Sequence, residues 1–305
     1  FTGGPPLVKA ATGEDVTKEE LGGPKVCTEI AGSAHDVAAD DAAAIDLARA
    51  WLSYFPSHAG GELPRRDGPD TGPRRIEELL ALIPPNDRLP YRMRRVIDLV
   101  VDEGSFLEVQ PRYGRAVVTG LAFLGGRAVG IVANDPSHKG GAMDSAAAIK
   151  AMDFLETIEP FGHPVVFLAD NPGVMAGTKA EREGILKWGG KMFRAERRLR
   201  GPKLHVTMRK AFGFGMVTMA GTPFDHQTIS YSLPGVNLAA MPAASGGRAA
   251  KLDEDAQRAA EEAQRAGPYR LANSLGVDDV IDPRELRNAL LAGLVIAEGR
   301  DAAHR

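Results

Sequence analysis

The sequence predicts an α/β layered fold, because two strand–loop–helix patterns follow one another and glycines stand where each strand ends. The first is the apolar run Pro164 to Ala169, a loop from Asp170 to Thr178, and a helical pattern from Glu181 to Leu199. The second is the strand-forming run Leu204 to Met208, the turn Gly213-Phe214-Gly215, and an apolar segment with no charge before Asp225. Serial units of this kind can set their loops side by side at the carboxyl edge of a sheet, where ligands of α/β folds bind.

The remaining elements follow in chain order. Phe1 to Val26 contains a short strand candidate and a capping box, Thr17 with Glu20 three residues on. Ile45, Leu47, Ala48, Trp51, Leu52 and Phe55 recur at helical spacing and predict a helix from Asp40 to Phe55. Repeated Pro, Gly and Arg from Pro56 to Asp87 mark a linker, with room for a helical turn or two between Ile76 and Ile83. Ala116 to Phe123 and Ala128 to Ala133 read as a hairpin around Gly125-Gly126. Helices are predicted from Asp144 to Ile158, from Asp253 to Ala266 and from Pro283 to Glu298. No internal repeat at a fixed period is visible.

Composition excludes several classes. A chain of 305 residues with 44% hydrophobic and 25% charged residues is an ordinary globular one. Its net charge of −3 gives no reason to expect nucleic acid or an anionic membrane. No apolar run approaches the ~18 residues of a membrane span. A single cysteine, Cys27, forms no internal disulfide and fits a reducing cytoplasmic setting. The chain opens on Phe1, not Met, which predicts that residues precede it.

The candidate chemistry is mostly backbone chemistry. A strand that runs through a glycine turn into a helix leaves N–H groups unpaired at the positive end of the helix dipole, where an oxyanion can sit. The alternative is simple close packing of helix on strand. The loop Asp170-Asn171-Pro172-Gly173 combines a fixed φ at Pro172 with the conformational freedom of Gly173, and is expected beside the same turn. It also reads as an ordinary turn. No metal-ligand spacing, nucleophile elbow or Walker loop is present. His163 and His205 read as structural. His138, in a glycine-rich loop, and Lys139, Lys179 and Arg182 are weaker candidates for ligand contact.

The chain resembles the carboxyltransferase β subunits of biotin-dependent acyl-CoA carboxylases (acetyl-, propionyl- and methylcrotonyl-CoA type) and the related decarboxylases. Six stretches carry the resemblance, in family order: Tyr91 to Asp98, Glu103 to Pro111, Gly125 to Asn134, Asp170 to Gly173 with Gly177-Thr178, Arg209 to Gly213, and Val277 to Glu285. Gly4 to Lys9, Thr12 to Glu14 and Leu21 to Gly23 look like the end of that family's N-terminal domain. The resemblance therefore divides the chain into the end of an N-terminal domain (1–56), a linker (57–87) and a C-terminal domain (88–305). It implies a crotonase-like fold of repeated β-β-α units.

The activity implied is transfer of a carboxyl group from carboxybiotin to the α carbon of an acyl-CoA, by way of enolates held in backbone oxyanion holes. The N–H groups of Phe214 and Gly215 are the expected donors, with Gly213, Pro172, Gly173 and Val174 around the biotin. Val217, two residues beyond Gly215, matches a position that tunes acyl length. Phe214 stands where family members carry a small residue, so its ring must point away from biotin. The resemblance also implies a biotin carboxylase or biotin carrier partner, a homo- or hetero-hexamer, and no metal on this chain. A decarboxylase subunit and a non-catalytic assembly subunit are the alternatives. Met216, Val217 and Met219 either lack cover within the chain or fill its own core, and Ser245-Gly246-Gly247 is expected to begin a helix packed on a neighbour.

Overall fold

The computed structural model describes residues 1–222, 226–265 and 267–303. Five α-helices precede the first strand: α1 (Pro5–Thr12), α2 (Lys18–Gly22), α3 (Asp41–Leu52), α4 (Glu78–Leu82) and α5 (Met93–Val100). α1 occupies the place where a strand was expected. Prolines fill its first turn, where no N–H is needed, and Gly13 closes it at φ 78°. The capping box at Thr17 is formed in both directions, and Asp40 caps α3 through Ala43 N–H at 2.8 Å. Within residues 57–87, Ile76, Leu79 and Ile83 are buried in a core shared with α5. Each fully buried aliphatic side chain of this kind contributes ~1.5–3 kcal/mol.

The sheet then forms from β1 (Leu107–Val109), β2 (Val117–Leu124), β3 (Arg127–Asn134), β4 (Val165–Asn171), β5 (Lys203–Phe212), β6 (Gln227–Ser232), β7 (Asn237–Ala239) and β8 (Asp279–Val280). Their order is β1-β2-β3-β4-β5-β6-β8, with β7 pairing the end of β5. The first three strands are antiparallel, with β2 and β3 joined by the predicted Gly125-Gly126 hairpin. From β3 onward every pairing is parallel.

Side chains alternate across the sheet, so β4 sends Val166 and Leu168 to one core and Val165, Phe167 and Ala169 to the other. α6 (Ser145–Ile158) and α8 (Ile185–Arg198) cover the second face. α5 and α13 (Leu286–Ala303) cover the first. The fold is crotonase-like.

Two helices differ from expectation. The pattern from Glu181 to Leu199 is broken by Gly184 at φ 80°, giving α7 (Thr178–Arg182) and α8. α9 (Gly213–Thr218), after the glycine turn, is only six residues long. Beyond it lie α10 (Ala243–Ala249), α11 (Glu254–Arg265) and α12 (Gly267–Asn273). Ala266, the expected end of the charged helix, is outside the described residues. Gly247 is not the start of α10 but lies inside it, packed against Gln257 of α11 in the same chain. Of the two readings for Met219 the structure takes the second, since it is fully buried in the chain's own core, while Met216 and Val217 are half-buried. No helix among the described residues is long and apolar enough to cross a membrane.

Candidate active site

The site is built where β3, β4 and β5 end together. β4 carries a register shift between Ala169 and Asn171, which leaves Asp170 and Asn171 both fully buried. Asn134, the last residue of β3, holds them through one oxygen. Its Oδ1 accepts the Asp170 N–H at 3.1 Å and Asn171 Nδ2 at 2.9 Å. Asn171 Oδ1 in turn accepts the Gly173 N–H at 3.0 Å, closing the Asn-Pro-Gly turn. Gly173 sits at φ 111°, the positive value expected of it.

The second loop meets the first. Gly213 adopts φ 53° and starts α9, whose N-terminus has no side-chain cap. The first N–H groups of a helix have no acceptor within it, which here applies to those of Gly213, Phe214 and Gly215. The Gly215 carbonyl, at the other end of its residue, is occupied: it accepts Thr218 Oγ1 at 3.1 Å and Asn171 Nδ2 at 3.5 Å. A methyl group on Gly215 would lie 2.8 Å from Gly173 Cα and would also strike the Asn171 carboxamide.

The Phe214 ring turns toward α8. It lies over Gly189, where a methyl group would come 2.7 Å from the ring, and edge-on to Phe193 at 6.5 Å between centroids. Val174 bridges to Met143, whose N–H donates to Gly173 O at 3.2 Å.

A cleft of about 480 Å³ opens beside the turn, lined by Pro172, Phe212, Gly140, Lys210 and Asn237 among others. Of the expected biotin-contacting residues, Pro172 lines this cleft, and Phe212 lines it immediately before the glycine turn. Gly173, Val174, Gly213, Phe214, Gly215 and Val217 do not line it.

Beneath the loops lies a buried ionic cluster that the sequence reading did not pick out. Asp170 accepts the Tyr91 hydroxyl at 2.9 Å and Arg209 Nε at 2.7 Å, with Lys210 Nζ 3.4 Å away. Arg209 also donates to the carbonyls of Asn86 (3.0 Å) and Leu89 (2.8 Å), and stacks on the Tyr91 ring. Burial, and then the Asp170 charge, hold the Tyr91 hydroxyl well above its ordinary pKa, so it remains a donor. The cluster fixes the base of the Asp170 loop and ties residues 84–89 to it.

None of His138, His163 and His205 lines the cleft. His163 is buried, with Nε2 2.8 Å from Tyr54 O, and burial lowers its pKa. His205 is buried with Nδ1 2.8 Å from Met219 O and Nε2 2.7 Å from Thr207 Oγ1, and burial pushes its pKa down to about 4. His138 pairs with Asp135 at 3.0 Å, Lys139 with Asp144, and Lys179 with Glu183 at 3.8 Å. Arg182 is exposed on α7.

The carboxyl transferase domain model matches residues 1–303. The chain is 35% identical over 326 residues to the biotin-dependent acetyl-/propionyl-coenzyme A carboxylase beta5 subunit of Mycobacterium tuberculosis (strain CDC 1551 / Oshkosh), covering 99% of this chain and 59% of that protein. It is 35% identical over 299 residues to the methylmalonyl-CoA decarboxylase subunit alpha of Veillonella parvula, covering 97% of this chain and 58% of that one. Among solved structures, the transcarboxylase 12S hexamer with hydrolysed methylmalonyl-coenzyme A bound superposes with a TM-score of 0.90 at 35% identity. That match covers 98% of this chain and 58% of the other. The chain thus spans about three fifths of the length of these relatives.

Proposed function

The chain belongs to the carboxyl transferase domain family, and from that membership we propose that it carries the biotin-facing half of an acyl-CoA carboxyltransferase. On this reading residues 1–56 finish an N-terminal domain, 57–87 link, and 88–305 form the biotin-side domain. The observation that carries the reading is the contact between the Asn171–Gly173 loop and the uncapped start of α9, beside a cleft at the carboxyl edge of the sheet.

The residues present fit a neutral cyclic urea. Pro172 and Phe212 offer apolar walls, and the Phe214 and Gly215 N–H groups, behind Phe212 at the uncapped start of α9, are the proposed donors for a carbonyl oxygen. When bound, carboxybiotin supplies the carboxyl group and, once that has left, the base for the α-proton of the acyl-CoA. The chain's own part is positional. Asn171 and Asn134 hold the two loops together, α8 takes the Phe214 ring, and the N–H groups stabilise negative charge on the urea oxygen. A preorganised donor in such a site contributes ~3–4 kcal/mol.

Biotin arrives on a carrier partner, and the acyl-CoA on the N-terminal domain of another protomer, within a hexamer like that described for the transcarboxylase 12S. Val217, half-buried on α9, is the proposed determinant of acyl length. A second reading, decarboxylation of an acyl-CoA, is favoured by the likeness to the Veillonella parvula subunit. The intact subunit should form carboxylated acyl-CoA when supplied with carboxybiotin. A folded, hexameric preparation that forms none, and does not decarboxylate in reverse, would leave only the assembly role.

A further inference from the structure

A second hollow, of about 400 Å³, opens between α5, the start of β2 and α6, and the proposed transfer makes no use of it. Lys150 of α6 lines it while being only 1% exposed. Its Nζ donates to the Val117 carbonyl at 2.8 Å, the one hydrogen bond described for an ammonium that carries three protons. The carboxylates nearby are engaged elsewhere. Glu108 is paired with Arg94 Nη1 at 2.6 Å; Asp135 accepts the Ser137 N–H at 3.0 Å and lies 3.0 Å from His138 Nδ1.

Arg92, Arg95 and Arg115 line the same hollow, are exposed, and form no ion pair among the described contacts. Lys150 and these three arginines therefore face two carboxylates that already have partners, on a chain whose net charge is −3. Buried cations normally have counter-ions, and here the space for one is open.

We propose that this hollow binds a small phosphate-bearing anion, with the Lys150 ammonium on one phosphoryl oxygen and the Arg92–Arg95–Arg115 rim around the others. Guanidinium groups match phosphate with paired N–H donors, and a compact ammonium suits the narrower floor. Burial, opposed by Glu108 and Asp135 and aided by Arg115, brings the Lys150 pKa down to about 8. A bound anion favours the charged ammonium, so affinity should fall as pH rises through that value. The inference is independent of the carboxyl-transfer reading.

Titration of the intact subunit with inorganic pyrophosphate at low ionic strength, followed by calorimetry, tests it, with inorganic phosphate and a nucleoside 5′-diphosphate in parallel. Pyrophosphate should bind, and Lys150→Met should weaken it at least tenfold. Raising the pH from 7 to 9 should weaken binding to the natural protein by about tenfold more than to the Lys150→Met variant. Tighter binding of the nucleotide identifies a nucleotide as the source of the phosphate, and equal binding identifies the phosphate group alone. Should Lys150→Met not fold, the exposed pair Arg95→Glu and Arg115→Glu decides: their combination must also cost at least tenfold. Failure of all three probes to bind, or wild-type affinity in either variant, would overturn the proposal.

Discussion

Asn171 and Gly215 stand 44 residues apart in sequence and touch through both ends of one side chain. Asn171 Nδ2 points at the Gly215 carbonyl, and its Oδ1 occupies the space that a Gly215 side chain would need. Any side chain at 215 displaces the Asn171–Gly173 loop, so a bulky substitution such as Gly215→Val disturbs the fold together with the site. Gly215→Ala is expected to cost ~1–3 kcal/mol of stability and to reduce carboxyl transfer by about 10²-fold or more. Chemical denaturation and turnover of the intact subunit, measured together, check both halves.

Phe214→Ala should behave in the opposite way. The ring packs on α8 over Gly189, so truncation leaves a hole and costs ~3–5 kcal/mol or less, depending on how far α8 relaxes. The backbone N–H remains. Activity per folded molecule should therefore fall far less than for Gly215→Ala, and an equal loss would argue against the Phe214 and Gly215 donors.

Asn171→Asp tests the hinge between the loops. The new carboxylate would face the Asn134 Oδ1 and Gly215 oxygens, which the Nδ2 group now serves as donor. An expected loss of ~1–3 kcal/mol, with transfer impaired more strongly, would follow from these unmade bonds. Asn171→Ala, lacking the added charge, should be milder in a pH-7 melt.

Asp170→Asn removes the charge that Arg209 and Lys210 share in a fully buried position. Stripping one partner from such a cluster typically costs ~3–5 kcal/mol. Since Asp170 and Arg209 hold residues 84–89 against the base of the loop, earlier proteolysis in that segment should accompany the loss.

His205 makes stability pH-dependent. Its folded pKa, about 4, lies below the unfolded value of about 6.5, so the unfolded chain binds the extra proton first. Its stabilising contribution is complete above pH 6.5 and is lost as pH falls toward 4, amounting to about 3 kcal/mol. In His205→Asn, the fall in melting temperature across that window should be smaller than in the natural protein.

Legibility in the sequence followed the range of the forces concerned. The hairpin at Gly125-Gly126, the Thr17 capping box and the Asp170-Asn-Pro-Gly turn are local chemistry and were readable. The short strand expected within Phe1 to Val26 is replaced by α1, where Pro5 and Pro6 predispose a first helical turn and Gly13 a stop. Strand–glycine–helix order brought the Phe214 turn to the Asp170 loop in prospect, and the contact exists. The Asp170 cluster was not readable as a unit, since Tyr91 and Arg209 reach it from 79 and 39 residues away. Lys150 likewise looks like a solvated helix lysine until β2 lies over it. The only advance signal was that Arg209 and Lys210 sit within a run otherwise suited to a buried strand.

Gly189 gives α8 a purchase on the glycine turn. With no side chain there, the helix closes directly on the ring of Phe214, a residue that also carries one of the two proposed N–H donors. Any sliding or tilting of α8 must therefore be transmitted to the pitch of α9's first turn. The placement of α8 and the placement of the glycine turn are thus set together, through a single aromatic ring.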